Sequence, residues 1–376
     1  MKFSFSSEQE EFRSNLRRFL AEHSPPKEVR RLMETDAGWE RDGWRKLNGE
    51  LGLTAVRIPE AYGGHGFGFG ELGIVLEEMG RALLCAPYFA SAVLAASAIL
   101  NAGTEAEKQA LLPGIASGDT VATLACAEDA GNWDAAGTTL VAAPSGGGYR
   151  LDGHKSFVID GHTADMIVVL ARAPGSSGEA GLSFFTVAGN AGGLTRRPLK
   201  TMDPTRKLAR LTFHAVEATP LGEPGGAAAP FTKTMLEAAI CLANEMVGGA
   251  ERLREDALAY AMMRMQFGRA IASFQSMKHK HADMLLDVEL AKSAAYYAAA
   301  ALDDGDGDVA AIASLAKACA SETYLQTAIH AIQIHGGIGF TWDNDTHLWF
   351  KRAKSSEVLL GDASHHRERM MRHWPA

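Results

Sequence analysis

Residues 264–275 read RMQFGRAIASFQ, and a second stretch far downstream, residues 333–339, reads QIHGGIG. Arginine presents a fixed fork of donors that suits a diphosphate, and a pair of glycines lets a cofactor approach the backbone closely. Either stretch alone is more simply interpreted as a surface arginine or as a helix C-cap at Gly336 and Gly337. The two together, in this order, favour a cofactor site. A Rossmann turn is the wrong interpretation, because the glycines follow a long helical pattern and not a strand.

The two stretches together resemble the acyl-CoA dehydrogenase family of flavoenzymes. The resemblance implies FAD as cofactor, an acyl-CoA substrate and electron-transfer flavoprotein as electron acceptor. It also implies which residues hold the pyrophosphate and adenosine end of FAD, largely across a subunit interface: Arg264, Phe267, Gln275, Gln333, Gly336 and Gly337. A site shared in this way requires a dimer or a tetramer, either homomeric or formed with a related chain.

Bulk composition narrows the function classes. The chain has 376 residues, of which 47% are hydrophobic and 22% charged, and its net charge is −8. These values are typical of a globular protein, and the charge argues against a nucleic-acid partner. The apolar runs are too short for a membrane span and the start is unlike a signal peptide, so we expect a cytoplasmic protein.

Metal and disulfide sites are not indicated. The four cysteines are scattered without a Cys-x-x-Cys spacing, so they predict buried thiols. His365, His366 and His373 lack a further ligand at usable spacing and are interpreted as a solvated helix face.

Periodicity predicts an α+β multidomain chain. Residues 1–118 have helical patterns, beginning with a helix capped by Ser6 or Ser7 and ended by Pro25-Pro26. Residues 119–226 contain seven short β-rich runs separated by turns, which indicates an antiparallel β-sandwich or barrel. Residues 227–376 are helical again and predict a four-helix bundle. This order of domains is also that of the acyl-CoA dehydrogenases, so the resemblance covers essentially the whole chain.

The resemblance implies a carboxylate base that takes the α-proton of the thioester. The commonest family position falls at Leu360 and the usual alternative at Ala238, and neither side chain is a base. Glu245 lies on nearly the same helix face as Ala238, two turns along, and its neighbours are small and apolar, so it is the candidate base. The alternative is a structural carboxylate, paired with Arg252 or with a neighbouring helix. Glu237 is the second candidate base.

The flavin-ring side departs from the family pattern at three places. Ile159 stands where the family has a threonine, Asp362 replaces the threonine after Gly361, and residues 127–133 read AEDAGNW instead of a Thr-Glu-Pro motif. The chain therefore resembles subgroups that include steroid-degrading, heterotetrameric members. It is either an enzyme that desaturates an acyl-CoA or a partner subunit without a complete site of its own. The sequence does not predict the acyl chain of the substrate, because that depends on the volume of the pocket, which side-chain identities do not give. Gly248 and Gly249, for example, either widen a cavity or let helices approach.

Overall fold

The computed structural model describes residues 5–374. Its N-terminal part is helical: α1 (Ser7–His23), α2 (Pro26–Met33), α3 (Arg41–Leu51), α4 (Phe69–Ala82), α5 (Ala96–Ala102) and α6 (Glu105–Ala116). Ser6 caps α1, because its hydroxyl accepts a hydrogen bond from the Gln9 amide at 3.2 Å and the Gln9 side chain returns one to the Ser6 amide at 2.9 Å. This capping box confirms the predicted start of the helix.

Two features of this region were not predicted. Pro25-Pro26 does end α1, but α2 begins at Pro26, because a proline at the first helical position loses no hydrogen bond. The apolar segment before α5 is also not α-helical: Phe89–Ala95 forms a π-helix whose seven residues are all buried.

Seven strands follow: β1 (Ala122–Ala125), β2 (Val141–Ser145), β3 (Gly148–Ile159), β4 (Met166–Arg172), β5 (Leu182–Ala188), β6 (Leu194–Pro198) and β7 (Leu208–Leu221). Antiparallel pairing links β2 to β3, β3 to β7, β7 to β5 and β5 to β4. A parallel bridge between Val141 of β2 and Arg172 of β4 closes the ring. The predicted barrel is confirmed, with the difference that β4 pairs in parallel with both β1 and β2.

The C-terminal part contains α7 (Ala228–Met263), a small hairpin of β8 (Met265–Gln266) and β9 (Arg269–Ala270), α8 (Gln275–Asp303), α9 (Val309–His335), α10 (Thr346–Val358) and α11 (Ala363–His373). α9 ends at His335, directly before the glycine pair Gly336 and Gly337. The irregular segment before α7 is short, since β7 continues to Leu221 and α7 starts at Ala228. At 1.5 Å per residue, α7 is about 54 Å long.

The chain divides into two compact units, which we describe separately. The helical unit comprises residues up to Arg30, Phe69–Leu84 and the chain from Ala239 onward. In it, α9 packs against α8, α10 and α11, and α4 packs against α1 and α8. The mixed unit comprises Arg31–Gly68 and Cys85–Ala238, and its core fills the barrel with side chains such as Leu151, Phe185 and Phe213. Among residues 5–374, no helix is long and apolar enough to cross a membrane.

Candidate functional site

The hairpin after α7 presents the first predicted cofactor-binding stretch. Phe267 and Gly268 form its two-residue turn, and both have positive φ angles, 52° and 75°. Such a backbone is costly for a phenylalanine, and costly backbone of this kind clusters at functional sites. The Phe267 ring is nevertheless 91% exposed. The hairpin therefore holds an aromatic ring outward at a conformational cost.

The second stretch lies at the same end of the helical unit. Tyr260, near the end of α7, stacks on His335, the last residue of α9, with ring centroids 4.3 Å apart. Directly after His335, Gly336 has φ 68° and ψ −147°, a conformation that is essentially restricted to glycine. An added Cβ on Gly336 or Gly337 would meet no atom within 4 Å. The backbone at the glycine pair is therefore open to a ligand.

These residues suit the ADP end of a dinucleotide. Arg264, Gln275 and Gln333 are all exposed, so their donors face outward from the unit. Exposed apolar side chains lie near them along the chain: Met262, Met263, Met265, Ile338, Phe340 and Trp342. A diphosphate requires hydrogen-bond donors, which the arginine, the two glutamine amides and the open glycine backbone provide. An adenine ring requires apolar surface, which the exposed apolar side chains provide.

An expected consequence concerns cofactor retention. Arg264→Ala removes a donor fork from an exposed position and no core volume, so we expect FAD affinity to fall about 10- to 100-fold, the worth of one charged hydrogen-bonding group. The measurement is the ratio of flavin to protein absorbance after dialysis, with circular dichroism to verify the helices. Arg269→Ala is the matched control, since Arg269 lies in the same hairpin with its guanidinium 4.1 Å from the Phe274 ring centroid. Equal flavin loss in both variants would remove Arg264 from the site.

Glu245 lies on α7 within the helical unit and is 6% exposed. Its Oε1 accepts a hydrogen bond from Arg352 Nη1 of α10 at 2.8 Å. Arg252, the partner considered from the sequence, instead donates from Nε to Asp256 at 2.7 Å. The pairing with a neighbouring helix is therefore the one observed. Arg352 was missed, because it is 107 residues away along the chain and no local pattern links the two.

The glycines near Glu245 allow two helices to approach. A Cβ on Gly248 would lie 1.8 Å from the Glu77 carbonyl oxygen of α4, and a Cβ on Gly80 would lie 1.9 Å from that of Glu245. The helices α4 and α7 thus cross backbone to backbone at these two glycines. Gly249 faces the Tyr324 ring, whose nearest atom would be 2.4 Å from an added Cβ. Close helix approach, and not a wider cavity, explains both glycines of the pair.

Glu237 belongs to the mixed unit and is completely buried. Its Oε1 accepts a hydrogen bond from Arg57 and its Oε2 one from Asn101, both at 3.1 Å. Both oxygens of this carboxylate are therefore engaged by side chains of its own unit.

The loop between α10 and α11 contains Leu360, at the position where the family has its commonest base. Leu360 is 4% exposed with φ 62°. The buried Lys317 ammonium donates to the Gly361 carbonyl oxygen at 3.1 Å and to that of Glu357 at 3.2 Å. His366 Nε2 lies 3.0 Å from the Leu360 carbonyl oxygen. Asp362, the other departure here, caps α11 by accepting the His365 amide at 2.8 Å.

His366 is therefore not on a solvated helix face, as the sequence predicted, but is 2% exposed. The prediction was wrong because a helix of this polarity gives no sign that one histidine turns inward to a carbonyl. Burial, reinforced by the nearby Lys317 ammonium, lowers the pKa of His366 to about 3. Within residues 5–374, no group of three or more His, Cys, Asp or Glu side chains is arranged to hold a metal.

Acid should destabilise the protein through His366. Because its folded pKa of about 3 lies below the ordinary 6.5, the unfolded chain binds the proton first as pH falls below about 6.5. We expect His366 to cost up to about 1.4 kcal/mol of folding free energy per pH unit between pH 6 and 4. His366→Gln keeps a donor for Leu360 but does not titrate, so its urea midpoint should fall less steeply over that range. An unchanged pH slope would contradict this assignment, and His373→Gln, an exposed position, is the control.

The residues of the mixed unit that differ from the family pattern are held by hydrogen bonds and ion pairs with neighbouring residues. Ile159 is 3% exposed, and its carbonyl oxygen accepts from the Thr123 hydroxyl at 2.6 Å. Glu128 pairs with the buried Lys155 ammonium at 2.9 Å. Burial opposes ionisation of Glu128, but the Lys155 charge and its hydrogen bonds hold the pKa of the carboxyl below its usual value. Hydrogen bonds from Arg210 and Ser156 lower the pKa of the neighbouring Asp129 to about 2.

Comparison with known proteins identifies the family. Three family models match: the acyl-CoA dehydrogenase N-terminal domain over residues 6–119, the middle domain over 123–216 and the C-terminal domain over 210–374. The acyl-CoA dehydrogenase IpdE2 of Mycobacterium tuberculosis is 33% identical over 359 residues, 94% of this chain and 93% of the relative. The chain belongs to the acyl-CoA dehydrogenase family. It is an oxidoreductase of that type, and its cofactor is FAD.

Two solved structures are similar over nearly the full length. The Tcur3481–Tcur3483 steroid ACAD has a TM-score of 0.87 and 32% identity, covering 97% of both chains. The ChsE4–ChsE5 complex from Mycobacterium tuberculosis has a TM-score of 0.90 and 27% identity, covering 100% of both chains. The three family models, matched in the order N-terminal, middle and C-terminal domain, confirm the predicted order of domains.

Proposed function

We propose that this chain introduces an α,β double bond into an acyl-CoA thioester, with Glu245 as the base that removes the α-proton. The observation that carries the proposal is the buried Glu245 carboxylate on α7, held by Arg352 at 2.8 Å, while the two positions that usually supply the base are Leu360 and Ala238. A base must be desolvated and rigidly placed, and Glu245 satisfies both conditions. FAD, when bound, accepts the β-hydride.

Glu237 remains the second candidate base. The Glu237 side chain is 1% exposed, whereas the Glu245 side chain is 8% exposed and so is the more accessible of the two. This contrast favours Glu245, and the comparison of the two Glu→Gln variants described in the Discussion separates them.

We propose that Arg264, Phe267, Gln275, Gln333, Gly336 and Gly337 hold the ADP end of FAD. Support comes from their common location at one end of the helical unit and from their exposure. The same exposure supports a cofactor shared with another subunit. We also propose domain bounds of 1–118, 119–226 and 227–376.

Relatives support a proposed substrate class and a proposed redox partner. One similar structure is described as a steroid ACAD, which supports a steroid-like or bulky acyl group. Another similar structure carries a description that names the electron transferring flavoprotein of Acidaminococcus fermentans. This supports such a flavoprotein as the electron acceptor.

A second candidate function is a partner subunit of a heteromeric enzyme. Ile159, Leu360 and Asp362 depart from the family pattern on the ring side while the ADP-side residues are retained, and a similar structure is a complex of two named chains. A chain of this kind would complete the cofactor site of its partner. The deciding experiment is purification of this chain alone. Stoichiometric FAD and bleaching by substrate support the enzyme, and a colourless protein supports the partner subunit.

Assembly gives a separate prediction. We expect a dimer or tetramer in solution, because the ADP-side donors are exposed and α8 leaves three neighbouring leucines exposed. Leu285, Leu286 and Leu290 are 43%, 59% and 56% exposed, and exposed apolar side chains that adjoin one another mark interaction surfaces. Light scattering coupled to size exclusion gives the mass, alone and with a co-expressed related chain. A monomer that retains one FAD per chain would contradict the shared site.

A further inference from the structure

Arg352 holds the Glu245 carboxylate in a nearly dry environment. The two side chains are 5% and 8% exposed, and Arg352 Nη1 lies 2.8 Å from Glu245 Oε1. The pair bridges α10 and α7 within the helical unit. Two charged groups withdrawn from water to this extent are costly to bury unless each compensates the other.

The backbone of Glu245 is fixed as well. An added Cβ on Gly80 of α4 would lie 1.9 Å from the Glu245 carbonyl oxygen and 3.1 Å from its Cγ. The main chain at Glu245 is therefore pressed against α4, while its carboxylate is held from α10. This arrangement leaves little freedom for the side chain, as a positioned base requires.

The choice of arginine matters. A guanidinium is always protonated and directs its donors along fixed directions, whereas an ammonium is a point charge on a flexible stem. An unpaired carboxylate at this depth would be driven towards its neutral form, and a neutral carboxyl cannot remove a proton. Arg352 supplies the counter-charge and a fixed direction together.

We infer that Arg352 is the positioning residue for the base, an inference that rests on the proposed role of Glu245. The guanidinium holds the charged carboxylate in place before the reaction. In the proton transfer, the Cα–H bond of the thioester breaks, its electron pair stays on the acyl group, and a new O–H bond forms on Glu245. Arg352 remains protonated throughout and does not touch the substrate.

The test isolates proton removal from redox chemistry. The holoenzyme is incubated in D2O with a redox-inert 3-thia acyl-CoA, and mass spectrometry measures exchange of the α-protons for deuterons. In each exchange, Glu245 takes an α-proton, releases it to solvent and returns a deuteron to the α-carbon. We expect Arg352→Met to slow exchange at least tenfold at saturating ligand, and Arg352→Lys to give an intermediate rate. Arg252→Met is the matched control, because Arg252 pairs with Asp256 instead, and should exchange at the parental rate.

A second readout needs no ligand and no FAD. Unfolding temperatures of Glu245→Gln, Arg352→Met and the double variant are compared on FAD-stripped protein. We expect the double variant to be destabilised by less than the sum of the singles, because each single leaves one charge of the buried pair without the counter-charge of the other side chain.

The outcomes separate the two ideas. Parental exchange in Arg352→Met overturns the positioning role, and where that variant does not fold, parental exchange in Arg352→Lys overturns it. Parental exchange in Glu245→Gln overturns the proposed base itself. Loss of exchange in Glu245→Gln, with parental exchange in the Arg352 variants, leaves the base standing and removes only the inference.

Discussion

Glu245→Gln should abolish most of the reduction of bound flavin by acyl-CoA while leaving the protein folded and yellow. General-base catalysis contributes about 10²- to 10⁴-fold, so the first-order rate of flavin bleaching should fall by a factor in that range. The amide keeps an oxygen acceptor for Arg352 but cannot take a proton. Stopped-flow absorbance of the flavin after mixing with substrate measures the rate, and equilibrium titration measures binding of acyl-CoA, which should be nearly unchanged.

Two further variants show whether a loss of bleaching is specific to Glu245. Glu251→Gln lies on the same helix, where Glu251 pairs with Arg254 at 2.5 Å, and should bleach like the parent. Glu237→Gln tests the second candidate base. If Glu237→Gln loses bleaching and Glu245→Gln retains it, the base lies two turns earlier on α7. If the parent protein retains no FAD after incubation with excess FAD, the partner-subunit function is the correct one.

Gly248→Ala should destabilise the protein more than a single methyl usually does. The added Cβ would lie 1.8 Å from the Glu77 carbonyl oxygen, 2.6 Å from its carbon and 2.9 Å from its Cα, and a helix backbone cannot yield as the end of a side chain can. Overpacking typically costs about 1–3 kcal/mol, occasionally more, and this contact with main-chain atoms should lie at or beyond the upper end. Urea unfolding measures the loss.

Gly43→Ala is the control for that variant. Gly43 lies inside α3 with no atom within 4 Å of an added Cβ, so alanine should gain about 0.5–1 kcal/mol from helix propensity. The two substitutions are chemically identical and should have opposite signs. A stable Gly248→Ala protein would mean that α4 and α7 separate easily, and it would also weaken the account of how Glu245 is held.

The sequence predicts what is local or periodic. Ser6 and Gln9 form their capping box because both partners lie within one turn, and α9 ends at His335 because a glycine with positive φ follows. Helix ends can be placed from their own sequence, and the two stretches 264–275 and 333–339 lie at helix ends that meet where Tyr260 stacks on His335. Their binding of FAD stays a prediction. The barrel was predicted as a class, but its parallel bridge depends on strand order.

What the sequence could not predict depends on distant partners. Arg352 meets Glu245 across 107 residues, and Lys317 meets the loop at Gly361 across 44. His366 looked like a surface residue because its burial is decided by a main-chain carbonyl and by the helix that packs over it. In each of these cases, the contact joins two elements, and the way they pack cannot be inferred from the sequence of either one alone.

The loop between α10 and α11 is held in place through its backbone. Lys317 and His366 hold the loop through main-chain oxygens of Glu357, Leu360 and Gly361, and none of these bonds uses the side chain at residue 360. These three hydrogen bonds therefore do not depend on the side chain of residue 360. A leucine at position 360 leaves all three hydrogen bonds of the loop in place, so under the proposed function the reactive carboxylate can lie on another helix while this loop keeps the contacts that hold it.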